Sequence, residues 1–443
     1  MNLNTNKKTK RESFSNKSGF ILSCVGAALG LGNIWMFSYK LGQYGGAAFL
    51  IPYFLFVFAL GTSGLITEFS FGRLFNSGSM GGIRNILKER NIKGASFISA
   101  IPAIGLIGIF MFYSVVIGWI LKYFSLSITG GLSNIDVATY FDSFSGTASS
   151  IPWFILAVIL TLVIVCFGVS KGIEKANKIM MPLLLIIFVL LAIRTLSLDG
   201  AMEGVKYLLI PRWEHLFKAE TWVMALGQAF FTVSLNGCGM VVYGSYINDK
   251  FDIPSSAFST AIFDTLAALL AAFMIVPAVF AFGLDPAAGP ALLFITIPSI
   301  FKAMPLGNFL SSLFFLSIIF AAISSSINML EGVCEPLITF RNWSRKKATV
   351  LICAITIIAA LPLTLSGNLF GNFADFVTII ISPISVLIVA ICYFFLFKGN
   401  IMDEINKGAK HPVGKWFVSF GRYVFIPITL LIIILGVSYG GIG

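Results

Sequence analysis

The residues Gly26-Ala27-Ala28-Leu29-Gly30-Leu31-Gly32-Asn33 set three glycines and an asparagine in the middle of a run otherwise long and apolar enough to cross a membrane. A regular helix is weak there, because glycine costs about 1 kcal/mol against alanine in a helix interior. Glycine also lets membrane helices pack closely, so one such cluster could serve packing alone. A second cluster, Ser234-Leu235-Asn236-Gly237-Cys238-Gly239, interrupts a later apolar run at a similar depth. Paired interruptions predict two broken helices in corresponding halves of an inverted repeat, with a solute held at the midplane between them. Freed N–H groups would face an anion and freed carbonyls a sodium ion, which is the chemistry of a carrier for a zwitterion plus Na+. Unwound backbone is tolerated at that depth only where protein or a water-filled cavity satisfies it.

These breaks need a membrane-embedded frame, and the composition supplies one. Of 443 residues, 57% are hydrophobic and only 11% charged, well below the charge of a soluble domain. Apolar runs start near Ser18, Gly45, Phe97, Ile151, Ile179, Thr221, Ser256, Phe309, Ala348, Phe370 and Tyr423, which predicts an all-α integral membrane protein of about eleven spans. The expected division is a segment 1–17, a first five-helix repeat 18–200, an inverted second repeat 201–397, and a connection with an eleventh span over 398–443. Most of the 30 Lys and Arg fall on alternate connections, so a multi-pass protein of the cell inner (cytoplasmic) membrane is expected, with its N-terminus in the cytoplasm and its C-terminus outside. The formal charge of +11 is spent on that orientation, and no nucleic-acid partner is expected. The polar first seventeen residues predict no removable signal peptide. Six scattered cysteines read as packed free thiols, and His215 and His411 form no metal pattern with them. No nucleophile, base and orienter cluster and no phosphate loop appears, so an enzyme is not expected. The absence of a charge ring or repeated filter argues against a channel.

The chain resembles the neurotransmitter:sodium symporter family in its bacterial amino-acid-carrying branch, with the leucine-transporter fold. The resemblance spans almost the whole sequence. It rests on Gly26 to Asn33, Tyr44-Gly45-Gly46-Ala47-Ala48-Phe49 with Pro52-Tyr53, Glu68 with Gly72-Arg73, Gln228-Ala229-Phe230-Phe231-Thr232, Ala321-Ala322-Ile323-Ser324-Ser325, and Trp343-Ser344-Arg345-Lys346-Lys347. It implies two sodium ions and no organic cofactor. The first ion would take the Ala28 carbonyl, Asn33, Thr232 and Asp264; the second, the carbonyls of Gly26, Leu29 and Ala321 with the Ser324 and Ser325 hydroxyls. Hard oxygen donors suit a hard cation. The substrate carboxylate would meet Leu31 and Gly32 backbone N–H groups and the Tyr113 hydroxyl, and the ammonium would meet carbonyls around Ala28, Phe231 and Thr232 and the Ser234 side chain. Ala27, Ile109, Phe231, Gly237 and Asn328 would line the side-chain space. Gly30 stands where amine-carrying members place an acid, so the substrate is expected to bring its own carboxylate. Blander readings exist for several of these: Ser324 and Ser325 could bond their own helix, Tyr113 could simply pack, and Asp264 could belong to a salt bridge. An unpaired mid-span aspartate costs about 2.5–3.5 kcal/mol, so a bound cation or a proton is expected there. In the resemblance its fixed charge would replace bound chloride, which implies chloride-independent transport.

Three departures bear on the gates and the pocket. Trp35-Met36-Phe37-Ser38 lacks the family's arginine, so no ion pair to Asp375 can close the outer side. Arg11 is present, but its expected acid partner falls at Thr339. Gly237 and Asn236 replace a large residue and a glycine, which, with Met36, predicts a roomier site for a bulky neutral amino acid under a lid of Met36, Tyr113 and Phe231. Two alternatives remain: a non-transporting amino-acid sensor, and a carrier in which Asp375 binds a cationic amine. Membrane lipids are expected around a monomer or homodimer.

Overall fold

The computed structural model describes residues 12–284 and 292–441. Among these, every regular element is helical. Nine helices are long and apolar enough to cross a membrane: α2 (Ala47–Phe75), α3 (Ala95–Ile128), α4 (Ala148–Cys166), α5 (Val169–Leu196), α7 (Ile253–Ala281), α8 (Gly307–Arg341), α9 (Arg345–Leu365), α10 (Gly367–Leu396) and α11 (Trp416–Tyr439). Two further spans are broken. α1 comprises Lys17–Ala28 and Gly32–Gln43, bent by 67°. α6 comprises Ala219–Thr232 and Gly239–Gly244, with the residues between them off the helix. The two breaks fall at the glycine clusters. α1 and α6 thus each open a five-helix half.

Span starts follow the hydropathy reading closely except in two places. α5 begins ten residues ahead of Ile179, through a π-turn at Val169–Glu174, because Lys171, Lys175 and Lys178 sit on an otherwise continuous helix. α11 begins at Trp416 rather than Tyr423. There the Arg422 guanidinium, which reads as a boundary in sequence, donates to the Phe394 carbonyl at 2.7 Å and is absorbed within the helix pair.

The core holds the first half of α1 against α8, α5 and α7, while α3 packs along α8. Small residues set the closest approaches. A Cβ at Gly72 on α2 would overlap the Val241 carbonyl, and one at Gly244 would overlap the Phe69 backbone. α2 and the second half of α6 therefore touch backbone to backbone, the approach that small residues permit between membrane helices. A buried ion pair, Arg73 Nε to Glu404 at 2.6 Å, ties α2 to the short helix Ile401–Asn406 beyond α10.

Candidate substrate and ion site

The two breaks face one another. In α6 the backbone at Ser234 turns left-handed (φ 57°), a conformation uncommon outside glycine. That turn aims the Ser234 hydroxyl at the Ala27 carbonyl, to which it donates at 2.8 Å. The carbonyl set free where α1 unwinds is thus met by a side chain set free where α6 unwinds.

On one side of this junction lies a buried polar trio. The Asn33 amide nitrogen donates to Thr232 Oγ1 at 2.6 Å and to Asp264 Oδ1 at 2.7 Å, and Thr232 Oγ1 donates to Asp264 Oδ2 at 2.7 Å. All three side chains are buried, Asp264 and Thr232 completely. The Asn33 side-chain oxygen accepts the Gly30 N–H at 3.2 Å, which folds the trio back onto the α1 break. No Lys or Arg among the described residues pairs with Asp264.

On the other side, Ser324 Oγ lies 2.7 Å from both the Gly26 and the Ala321 carbonyl oxygens. Ser325 Oγ lies 3.2 Å from the carbonyls of Gly26 and Ala27 and 3.5 Å from that of Leu29. Each hydroxyl owns a single proton, so these contacts hold more acceptors than donors. Ser324 does reach its own helix through Ala321, but bonding within the helix leaves the surplus oxygens from α1 unexplained. A nest of neutral oxygens short of protons is suited to a monovalent hard cation.

The expected substrate groups gather above the break. Leu31 N–H points at the Tyr113 hydroxyl at 3.3 Å. A Cβ at Gly30 would stand 3.0 Å from that hydroxyl and 3.2 Å from Ser325 Oγ, so a side chain there would crowd both. The Phe231 ring covers Gly32 and is itself 39% exposed. Ala27 and Ala28 are buried, and Ile109 is half-buried against the core.

Two lining residues serve the frame instead of adding space. Gly237 (φ 69°) donates its N–H to Glu68 Oε1 at 2.9 Å, and a Cβ on it would fall 2.5 Å from the Ser385 carbonyl group of α10. The missing side chain is filled by α10 backbone, so the extra room expected at this position does not exist. Asn236 turns inward and accepts the N–H groups of Cys238 and Gly239 at 3.0 and 2.8 Å, capping the short second half of α6. Asn328 donates to the Gly239 carbonyl at 3.1 Å and braces the same segment.

The two ends of the bundle bear on the expected gates. Arg11 lies outside the described residues. Thr339 donates to Glu335 at 2.7 Å, so an acid stands one turn before the position where it is missing. The N-terminal segment is latched by pairings that the sequence did not indicate. Arg345 pairs with buried Glu331 and, at 3.2 Å, with Glu12; the Tyr246 hydroxyl donates to Glu331; Glu12 accepts Val169 N–H at 2.6 Å. At the far end Met36 is half-buried and Asp375 exposed, with no ion pair to Asp375 among the described residues. An aromatic nest gathers there around Phe294, which stacks on Phe141 (4.6 Å) and meets Tyr123, Trp119 and Trp35 at 5.3, 6.0 and 6.4 Å. Asn177 of α5 is a further residue not anticipated: its side-chain oxygen has no hydrogen-bond partner and borders Gly26.

Two five-helix halves opening on facing breaks constitute the leucine-transporter fold, a class of secondary membrane transporters. The chain belongs to the sodium:neurotransmitter symporter family, whose model matches residues 11–143 and 137–439. It is 34% identical to the sodium-dependent transporter YhdH of Bacillus subtilis, covering 95% of this chain and 96% of that one. It is 30% identical to a sodium-dependent transporter of Methanocaldococcus jannaschii, covering 98% and 93%. Among solved structures it superposes on MhsT, crystallised in complex with L-phenylalanine, with a TM-score of 0.84, 34% identity, and 96% and 99% coverage.

Proposed function

We propose that this protein is a symporter that couples two sodium ions to the import of a bulky neutral amino acid by alternating access, without a need for chloride. The observation that carries the reading is the oxygen surplus at Ser324 and Ser325 beside the α1 break. The first ion would sit among the Ala28 carbonyl, Asn33, Thr232 and Asp264, and the second among Gly26, Leu29, Ala321, Ser324 and Ser325. The substrate carboxylate would be held by Leu31 and Gly32 N–H groups and Tyr113, and its ammonium by the carbonyls near Ala28 and Phe231 with Ser234. L-Phenylalanine in the MhsT structure, together with the half-exposed Phe231 ring, supports an aromatic or branched side chain. The preference no longer draws on Gly237.

In this reading the N-terminus is cytoplasmic, so Glu12, Arg345, Glu331 and Tyr246 close the inner side and the Phe294 nest shapes the outer side. Two sodium ions with a zwitterion carry two charges inward. At about 2.3 kcal/mol per charge per 100 mV, the membrane potential alone supplies roughly 4.6 kcal/mol, more than a thousandfold accumulation. Counterflow of labelled L-phenylalanine in proteoliposomes is the test. Sodium-dependent exchange is expected; sodium-dependent binding with no counterflow would instead indicate a sensor, and binding indifferent to sodium would refute the ion assignment.

A further inference from the structure

A crevice of about 590 Å³ opens where α4 ends and α5 begins, at the end of the bundle that carries the N-terminal segment. Lys171, Lys175 and Lys178 stand along its wall at helical spacing, with the exposed Phe167 ring, Ser15 and Ser170 around them. Lys171 and Lys175 are exposed and have no hydrogen bond or ion pair among the described residues. Lys178 pairs with Glu174 at 2.6 Å. Glu174 is buried on the crevice floor, where it also accepts the Ser15 backbone N–H at 2.8 Å. The Ser15 and Ser170 hydroxyls meet at 2.7 Å on the rim.

Exposed apolar stripes lead away from this basic rim on both helices. On α5 they run through Ile179, Leu183, Ile186 and Leu190, and on α4 back from Phe167 through Val163, Leu160 and Leu156. Cation above and hydrocarbon below is the profile of a phospholipid, not of a soluble anion, and clustered basic residues at a helix end attract acidic headgroups.

We propose that this crevice binds the phosphate of an acidic phospholipid in the leaflet meeting the N-terminal end of the bundle, through Lys171, Lys175 and Lys178, with its acyl chains along α4 and α5. Lys178 is then shared between the headgroup and Glu174, the residue that anchors Ser15. The lipid therefore bears directly on the attachment of the N-terminal segment to α5.

Native mass spectrometry and thermal unfolding of the full-length protein in detergent, titrated with phosphatidylglycerol, phosphatidylcholine or millimolar inorganic phosphate, test this. Phosphatidylglycerol is expected to be retained and to raise the unfolding temperature, whereas phosphatidylcholine and phosphate alone do neither. Each lysine contributes roughly a factor of five near an acidic surface, so Lys171→Gln/Lys175→Gln is expected to weaken retention about thirtyfold. Lys171→Arg/Lys175→Arg is expected to keep it, and the distant pair Lys93→Gln/Lys415→Gln to leave it nearly unchanged. Equal retention of phosphatidylcholine, a full shift with phosphate alone, undiminished binding by the Gln pair, or an equal loss in the distant pair would each overturn the proposal.

Discussion

Replacing Asp264 by Asn probes the proposed first ion site most directly, because it keeps the shape of the trio and removes its charge. In the native protein both carboxylate oxygens accept hydrogen bonds, from Asn33 and from Thr232, each at 2.7 Å. An amide offers one acceptor. Turned toward Asn33, its NH2 meets another donor; turned toward Thr232, it can donate to the hydroxyl oxygen, but in either case the bonds lose the charge assistance of the carboxylate. Charge-assisted bonds contribute about 1.5–3 kcal/mol, which corresponds to a rise of roughly ten- to hundredfold in the sodium concentration needed for half-maximal stabilisation. If the carboxylate takes the place of chloride, the variant should also regain part of that loss when chloride replaces gluconate, whereas the native protein should be indifferent to the exchange. Sodium titrations of thermal stability and of L-phenylalanine binding, run in both anions, read both effects. Native uptake that collapses in gluconate would refute the reasoning, as would a variant with unchanged sodium dependence.

Other expectations follow from single contacts. Ser324→Ala removes a hydroxyl that stands between two carbonyl oxygens and should raise the sodium requirement for binding by about tenfold, with little change in the folded yield; an unaltered sodium titration would argue for a purely structural serine. Gly237→Ala combines a left-handed backbone, costing about 1–2 kcal/mol, with a Cβ driven into the α10 backbone, so a clear drop in unfolding temperature is expected, and a neutral result would mean that α6 and α10 are less closely seated. Arg345→Ala leaves Glu331 buried without its cation, a loss of about 3–5 kcal/mol, and should increase labelling of cysteines placed beneath the N-terminal latch; Glu331→Gln in the same chain should restore much of the stability. Gly30→Asp should abolish amino-acid binding through crowding at Tyr113 while sodium stabilisation persists in part, and retained binding would show that the substrate carboxylate sits elsewhere.

What the sequence made legible was the set of places where it breaks its own pattern. Glycines in a membrane-length run announce both unwound segments, and Asn33 and Asp264 stand out because polar groups at that depth need a reason, whereas Thr232 was legible only through family likeness. The Ser324-Ser325 pair was readable through family likeness, although spacing alone could not separate its cross-chain contacts from bonding within its own helix. The N-terminal latch was hidden for a different reason: Glu12 and Arg345 are 333 positions apart, and no local pattern links them until the fold brings them together. Glu68 and Gly237 are 169 apart. Gly237 shows a limit of composition reasoning, since an absent side chain leaves space only where no neighbouring backbone moves in. The early start of α5 was masked because three lysines resemble a loop when their helical spacing is overlooked.

The second half of α6 is a single short helix, Gly239–Gly244, far below the length at which a helix persists unaided. Its N-terminal end is held by Asn236 and Asn328, its flank lies against Gly72, and the turn leading into it hangs from Glu68 on α2. As a lever it has no stiffness of its own and borrows that of α2. Any displacement of this segment is therefore shared with α2 along its length, and with it, through Arg73 and Glu404, with the connection that leads to α11.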